Sequence, residues 1–134
     1  SRLDIWKSSL NYILNKPLFG SGANSFTAQF LSETSFFKAH SHNLFLELSI
    51  SYGLPVSILL FGIIVFLIFK SIKNFYSLNI DFNKINFDRA LISSSLVLFI
   101  LQTVDITLFD GRIIIVFWIL LAGLRSMLRQ NELT

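Results

Sequence analysis

The run "VSILLFGIIVFLIF", residues 56–69, has only Ser57 and Gly62 as breaks in a row of apolar side chains. Few environments accept such a segment. A bilayer does, provided that the segment is a helix whose peptide groups bond to one another, because lipid offers the backbone no partner. About 20 residues cross a hydrocarbon core of about 30 Å, so the span is extended over residues 54–75, with Lys70 and Lys73 reaching for the interface at one end. Pro55 falls in the first turn, where its missing N–H is harmless.

Composition supports lipid for more than this one segment. Hydrophobic residues make up 53% of the 134, charged residues 14%, and Phe alone occurs 15 times, too little polar surface to cover a soluble core of this size. A loop, "YSLNIDFNKINFD" at 76–88, leads to a second span over 89–109, and "DGR" turns the chain into a third over 111–128. Ser93, Ser94 and Ser95 give the second span a small-residue face on which another helix is expected to pack. Lys70, Lys73, Lys84 and Arg89 in the first connection, with Arg125 and Arg129 after the last span, place those ends in the cytoplasm. The segment before residue 54 and the "DITLFDGR" turn then face the extracytoplasmic side. The absence of cysteine excludes disulfides and thiolate metal sites, and a dispersed net charge of +3 argues against nucleic acid as a partner.

Residues 1–53 read differently. "DIWKSSLNYILN" places Trp6, Leu10, Ile13 and Leu14 on one stripe of an amphipathic helix that ends at Lys16-Pro17. "PLFGSGANSF" reads as a turn, and "TAQFLSETSFFK" as a short second helix. "GSGANS" lacks the third glycine, the preceding strand and the Lys-Ser/Thr of a phosphate loop, so nucleotide binding is not expected. The opening "SRLDIWK" has neither an initiator Met nor a signal sequence, so the chain is expected to be part of a longer protein. The expected organisation is all-α: an extracytoplasmic helical loop region, 1–53, followed by transmembrane helices, 54–134.

Chemistry concentrates in "KAHSHNLFLELSISYGLP", residues 38–55. His40 and His42 have metal-ligand spacing, but Glu33 and Glu47 are the only nearby acids and two ligands do not make a site, so no metal is expected. Alternatively one imidazole is a general base, with Asn43 and Glu47, an i, i+4 pair, available to orient it. The blander alternative is that Ser41 or His42 caps a helix and both histidines are merely solvated. Arg2, Asp105, Asp110 and Arg112 fall on the same side of the membrane as His42. Arginine suits phosphate or pyrophosphate, although Asp110 and Gly111 also fit a simple turn, Asp105 a helix end and Arg112 a headgroup contact.

With these motifs in view, the chain resembles the C-terminal part of the O-antigen ligase and O-antigen polymerase superfamily of bacterial membrane glycosyltransferases. "SRLDIW" looks like that family's Arg-and-Trp opening, "NKPLFGSGANSF" resembles its Pro-Leu-aromatic-Gly-x-Gly loop, and "HSHNLFLELSISYGLPVSILLF" is similar to its His-Asn signature before a span. The resemblance covers residues 1–75 in order. It implies a helical fold of the C-type glycosyltransferase kind in the bacterial inner membrane, completed by further transmembrane helices. It also implies a polyprenyl-pyrophosphate-linked glycan donor, no metal or nucleotide cofactor, and an acceptor that is the lipid A core of lipopolysaccharide or another lipid-linked repeat unit. On the matching positions His42 is the implied base and Arg2 the implied pyrophosphate ligand. Asn43, which accompanies His42 in the signature, and His40, which has no firm family counterpart, are candidate substrate contacts beside the base, and Arg112 is a positional candidate for donor binding. Some related members are described as inorganic-carbon transport components, so a nonenzymatic membrane role is the alternative.

Overall fold

The computed structural model describes residues 1–77 and 82–132. Among these residues six helices follow one another, α1 (Arg2–Asn15), α2 (Ser25–Thr34), α3 (Leu44–Tyr52), α4 (Leu54–Ser77), α5 (Phe82–Val104) and α6 (Gly111–Glu132), and the described residues contain no strand. Three segments, Leu54–Tyr76, Ile85–Val104 and Gly111–Arg129, are long and apolar enough to cross a membrane. The loop expected over 76–88 falls partly on residues 78–81, outside the described residues, and helix occupies the rest of it. The side chain of Lys84, one of the cations used for topology, also lies outside them.

α5 ends at Val104, whereas the sequence pattern carries that span to residue 109. The cause is local. Asp105 turns its Oδ1 onto the backbone N–H of Ile106 at 2.9 Å, a side-chain bond that competes with helical pairing and ends the helix. Asp105 is therefore the first residue beyond the span.

The chain divides into two compact units, Ser1–Phe61 with Gln102–Ile106, and Gly62–Leu101 with the residues from Thr107 onward. In the first unit α1, α2 and α3 pack pairwise around Ile5, Tyr12, Ile13, Phe26, Phe30 and Ile50, with Trp6, Leu46 and Leu54 against them. Phe26 is wholly buried and stacks on Phe30 with ring centres 5.4 Å apart. The Tyr12 hydroxyl donates to Glu33 Oε2 at 2.6 Å, so its phenol enters the apolar core with its polar end satisfied. Only part of the stripe expected on α1 faces this core. Trp6 and Ile13 do, but Leu10 and Leu14 are exposed beside Leu3, because Ile5, Ser9 and Tyr12 set the inward face. α1 is thus apolar on two sides.

A backbone seam joins the turn after α1 to the α3–α4 junction. Ser21 N–H donates to Ile50 O at 2.7 Å, Gly22 N–H to Ser51 O at 3.0 Å, and Leu54 N–H to Pro17 O at 2.8 Å. Chains approach this closely only where side chains are missing. A Cβ on Gly20 would lie 2.6 Å from the Ser51 carbonyl carbon, and one on Gly53 would collide with the Leu18 carbonyl. Gly53 also holds φ 90 and ψ 165, a region that is essentially glycine's alone.

In the second unit, Gly123 faces Leu91, and an added Cβ would stand 2.9 Å from Leu91 Cδ1. The triple serine is divided between two surroundings. Only Ser95 is buried, with its hydroxyl bonded back to Leu91 O at 2.8 Å, while Ser93 and Ser94 are exposed. Its self-bonded hydroxyl lets Ser95 enter the interior without an outside partner.

Gly53→Ala should cost roughly 1–3 kcal/mol in backbone strain, with the clash against Leu18 added to it. Gly62→Ala, in a helix with open space at the Cβ position, should be neutral or slightly stabilising. Thermal unfolding in detergent would show the difference.

Candidate functional site

The loop between α2 and α3 carries both histidines, and several bonds fix it. Thr27 Oγ1 donates to Ala39 O at 2.9 Å, and the Trp6 indole N–H donates to Ser41 O at 3.1 Å. The buried Glu47 accepts the Ser41 backbone N–H at 2.8 Å. Asn43 is the N-cap of α3, accepting from Leu46 N–H at 3.1 Å. Its Nδ2 donates to Thr103 O at 2.8 Å, in the last turn of α5. Helix ends leave N–H groups at one end and carbonyls at the other without partners, and this single amide serves one of each.

That double bond brings the end of α5 to the histidine loop. His42 Nδ1 lies 2.9 Å from Asp105 Oδ1, joining residues 63 apart in sequence. A carboxylate only accepts, so the imidazole carries its proton on Nδ1 and leaves the Nε2 lone pair free for an incoming proton. The His42 side chain is 26% exposed and that of Asp105 51%, so the dyad is supported from within and open to a ligand. The His42 bond, first among several effects, holds the Asp105 carboxyl below the usual carboxylate range. His42 itself has φ 56, a left-handed conformation that histidine, asparagine and aspartate adopt more readily than most residues.

His40 stands against this pair with its ring centre 4.5 Å from that of His42, nearly edge to face. Its Nδ1 accepts the His42 backbone N–H at 3.3 Å, which favours a neutral ring protonated on Nε2. Burial lowers its proton affinity, the charge of a protonated His42 lowers it further, and the carboxylates of Asp105 and Glu47 oppose the shift in part.

The residues singled out from sequence thus have distinct surroundings. His40, His42 and Asn43 come together. Glu47 accepts the Ser41 N–H, and the carboxylate bonded to His42 is Asp105, too distant in sequence for spacing to reveal it. Neither Ser41 nor His42 caps α3; Asn43 does. Arg2 begins α1 one turn before Trp6, on the side facing the histidine loop, and is exposed. Its guanidinium has no bonded partner among the described residues. Arg112 belongs to the second unit, where its Nη2 lies 3.3 Å from Asp110 Oδ2 and its backbone N–H donates to Asp110 Oδ1 at 2.9 Å. Asp105 also supplies the third candidate ligand that the two histidines lack in the local sequence. One donor atom from each of His40, His42 and Asp105 lies within 4.8 Å of the others, a spacing that could hold a metal ion.

A family model described as O-antigen ligase matches residues 1–61, which include the arginine, the glycine turn and both histidines. Over these residues the chain is similar to the O-antigen ligase family. That similarity supports a membrane glycosyltransferase-like role, in line with three helices among the described residues able to cross a bilayer. No curated protein and no solved structure matches the chain.

As pH falls through the ordinary imidazole range, the unfolded chain binds a proton at position 40 that the folded chain resists. Stability should therefore decline on acidification over that window, and decline again as Asp105 is protonated below the usual carboxylate range. Unfolding midpoints measured from neutral to mildly acid pH should show the first decline in the parent protein and a weaker one in His40→Gln.

Proposed function

We propose that this chain supplies the histidine side of the active site of an inverting membrane glycosyltransferase. The enzyme would move a glycan from a polyprenyl-pyrophosphate carrier to a hydroxyl of a saccharide or lipid-linked acceptor, in the synthesis of cell-surface polysaccharide. The observation that carries the proposal is the His42–Asp105 bond of 2.9 Å, set just beyond the end of a membrane-spanning segment within the first unit.

In this mechanism the acceptor hydroxyl lies against His42 Nε2. Its oxygen bonds to the anomeric carbon, the bond from that carbon to pyrophosphate breaks, and the electron pair leaves with the polyprenyl pyrophosphate. The hydroxyl proton passes to Nε2, and Asp105 stabilises the imidazolium through Nδ1–H. One displacement at carbon inverts its configuration. Arg2 is the proposed ligand of the departing pyrophosphate, because a planar guanidinium offers paired donors to phosphate oxygens. Arg112 is a second candidate, since its side chain is 92% exposed and its side-chain contacts with Asp110 are long. Asn43 acts by holding the loop and α5 together, and His40 by supporting the His42 backbone.

Orientation follows from the same proposal. The polyprenyl tail requires the bilayer and the pyrophosphate requires the headgroup level, which suits a dyad at the end of a span. The positive-inside distribution puts that end on the extracytoplasmic face of the inner membrane. The spans belong to a larger helical enzyme of the C-type kind, whose other helices contribute the rest of the donor site. A transport component would instead need polar groups along its spans, and Asp105 lies outside the helix.

His42→Asn keeps a residue suited to positive φ and removes the base, so in the full-length protein it should reach the membrane normally and lose about 10²–10⁴-fold in transfer rate. Asp105→Asn should lose roughly 10- to 100-fold, less than with a fully buried carboxylate because solvent screens this one. Transfer from a lipid-linked donor, followed by gel shift of the acceptor, measures both. Full activity in His42→Asn would refute the assignment of the base. Arg2→Ala should weaken donor use, and Arg2→Lys should restore only part of it. Chelation by EDTA should leave transfer unchanged; its abolition, with recovery on adding zinc, would establish His40, His42 and Asp105 as a metal site instead.

A further inference from the structure

The outward side of α1 has no role in the proposed chemistry, yet it is apolar. Leu3, Leu10 and Leu14 are exposed along one face, with Lys7 in the same row. The stripe leads into Leu18 and Phe19, which are 62% and 87% exposed at the head of the glycine turn. Few residues of a protein in water would be so arranged, because five large exposed apolar side chains along one row, interrupted by Lys7 alone, form a patch that invites association.

The backbone identifies the occupant. Pro17 O accepts the N–H of Leu54, the first residue of α4, and Gly53 packs against the backbone of Leu18. Leu18 and Phe19 are therefore fixed beside the point where the chain enters its first membrane-spanning segment. Within the same unit, Val56, Ile58 and Leu59 continue the exposed apolar surface along the first two turns of that helix. A surface continuous with a lipid-facing helix has lipid as its neighbour. Lys7 stands within the stripe and Lys16 at its end, long cations that can snorkel to headgroups while their stems cover apolar surface.

We infer that α1 lies in the membrane interface, with Leu3, Leu10, Leu14, Leu18 and Phe19 inserted among phospholipid acyl chains. The helix is a built-in anchor that sets the depth of the histidine loop, through Trp6 and its bond to Ser41 O. The inference needs the spans to be membrane helices but does not depend on the proposed transfer reaction.

The 134 residues contain no cysteine, so single cysteines can report the position of each side chain in this segment. Leu14→Cys, Phe19→Cys, Leu59→Cys and Ser32→Cys are each introduced into the full-length protein, labelled with an environment-sensitive fluorophore and reconstituted in phosphatidylethanolamine–phosphatidylglycerol vesicles. Labels at 14 and 19 should behave as at 59. Lipids with a spin label high on the acyl chain should quench them several-fold more strongly than at the exposed Ser32, and aqueous iodide several-fold less. Iodide quenching at 14 or 19 equal to that at 32 would overturn the inference in favour of a solvated surface. Protection from both quenchers at either position would overturn it in favour of another protein segment as the occupant.

Discussion

The first unit depends on a backbone contact that tolerates no side chain. Gly20 and Gly53 let the turn after α1 lie directly on the junction between α3 and α4, and three backbone hydrogen bonds close the seam. Without it, α1 and α2 would hang on the apolar core alone, and side-chain packing such as that of Leu54 would have to tie that core to the start of a span. Because the seam is backbone to backbone, its geometry is set by covalent structure with little rotamer freedom. Trp6 and Glu47 then transmit that rigidity to the loop that carries His40 and His42.

The site combines a fixed backbone with exposed functional groups. His42 is held in a left-handed conformation, its backbone N–H is bonded to His40, and its ring is bonded to Asp105, while the dyad stays open to a ligand. On the proposed mechanism, a base prepared in this way would need little reorganisation when its substrate arrived. Arg2 differs in kind, since its guanidinium is exposed and unbonded among the described residues. A flexible cation suits a ligand that arrives and departs with its charge; a base needs a fixed address.

Sequence disclosed what is periodic or local. The apolar runs marked three membrane-capable helices, and the glycines of "PLFGSGANS" and "YGLP" marked the two turns that meet at the seam, though not that they meet. His42 and Asn43 stood out for their chemistry at the edge of lipid. Asp105 was visible as an acid near a helix end, but its partner was not, because only the folded chain brings together residues 63 apart. The orienting group was accordingly sought in Glu47, which spacing favoured and the Ser41 N–H in fact occupies. Helical periodicity likewise merged two faces of α1 into one stripe, since a helix with lipid on one side and a core on the other has apolar residues on both. The triple serine divides for a related reason: three small residues in a row point in different directions, and one alone turns inward among the described helices.

Asn43 has a consequence for how the protein is made. Its amide holds the N-terminus of α3 with one atom and the C-terminus of α5 with the other, and the second attachment brings the carboxylate to the histidine. During synthesis the histidine loop emerges first and must wait through the insertion of an entire helical hairpin before its acid arrives. A chain stalled or cut before α5 therefore holds the histidine without its carboxylate. On the proposed mechanism chemical competence would come late, as a product of membrane assembly, and an unfinished chain could not act on lipid-linked intermediates around it.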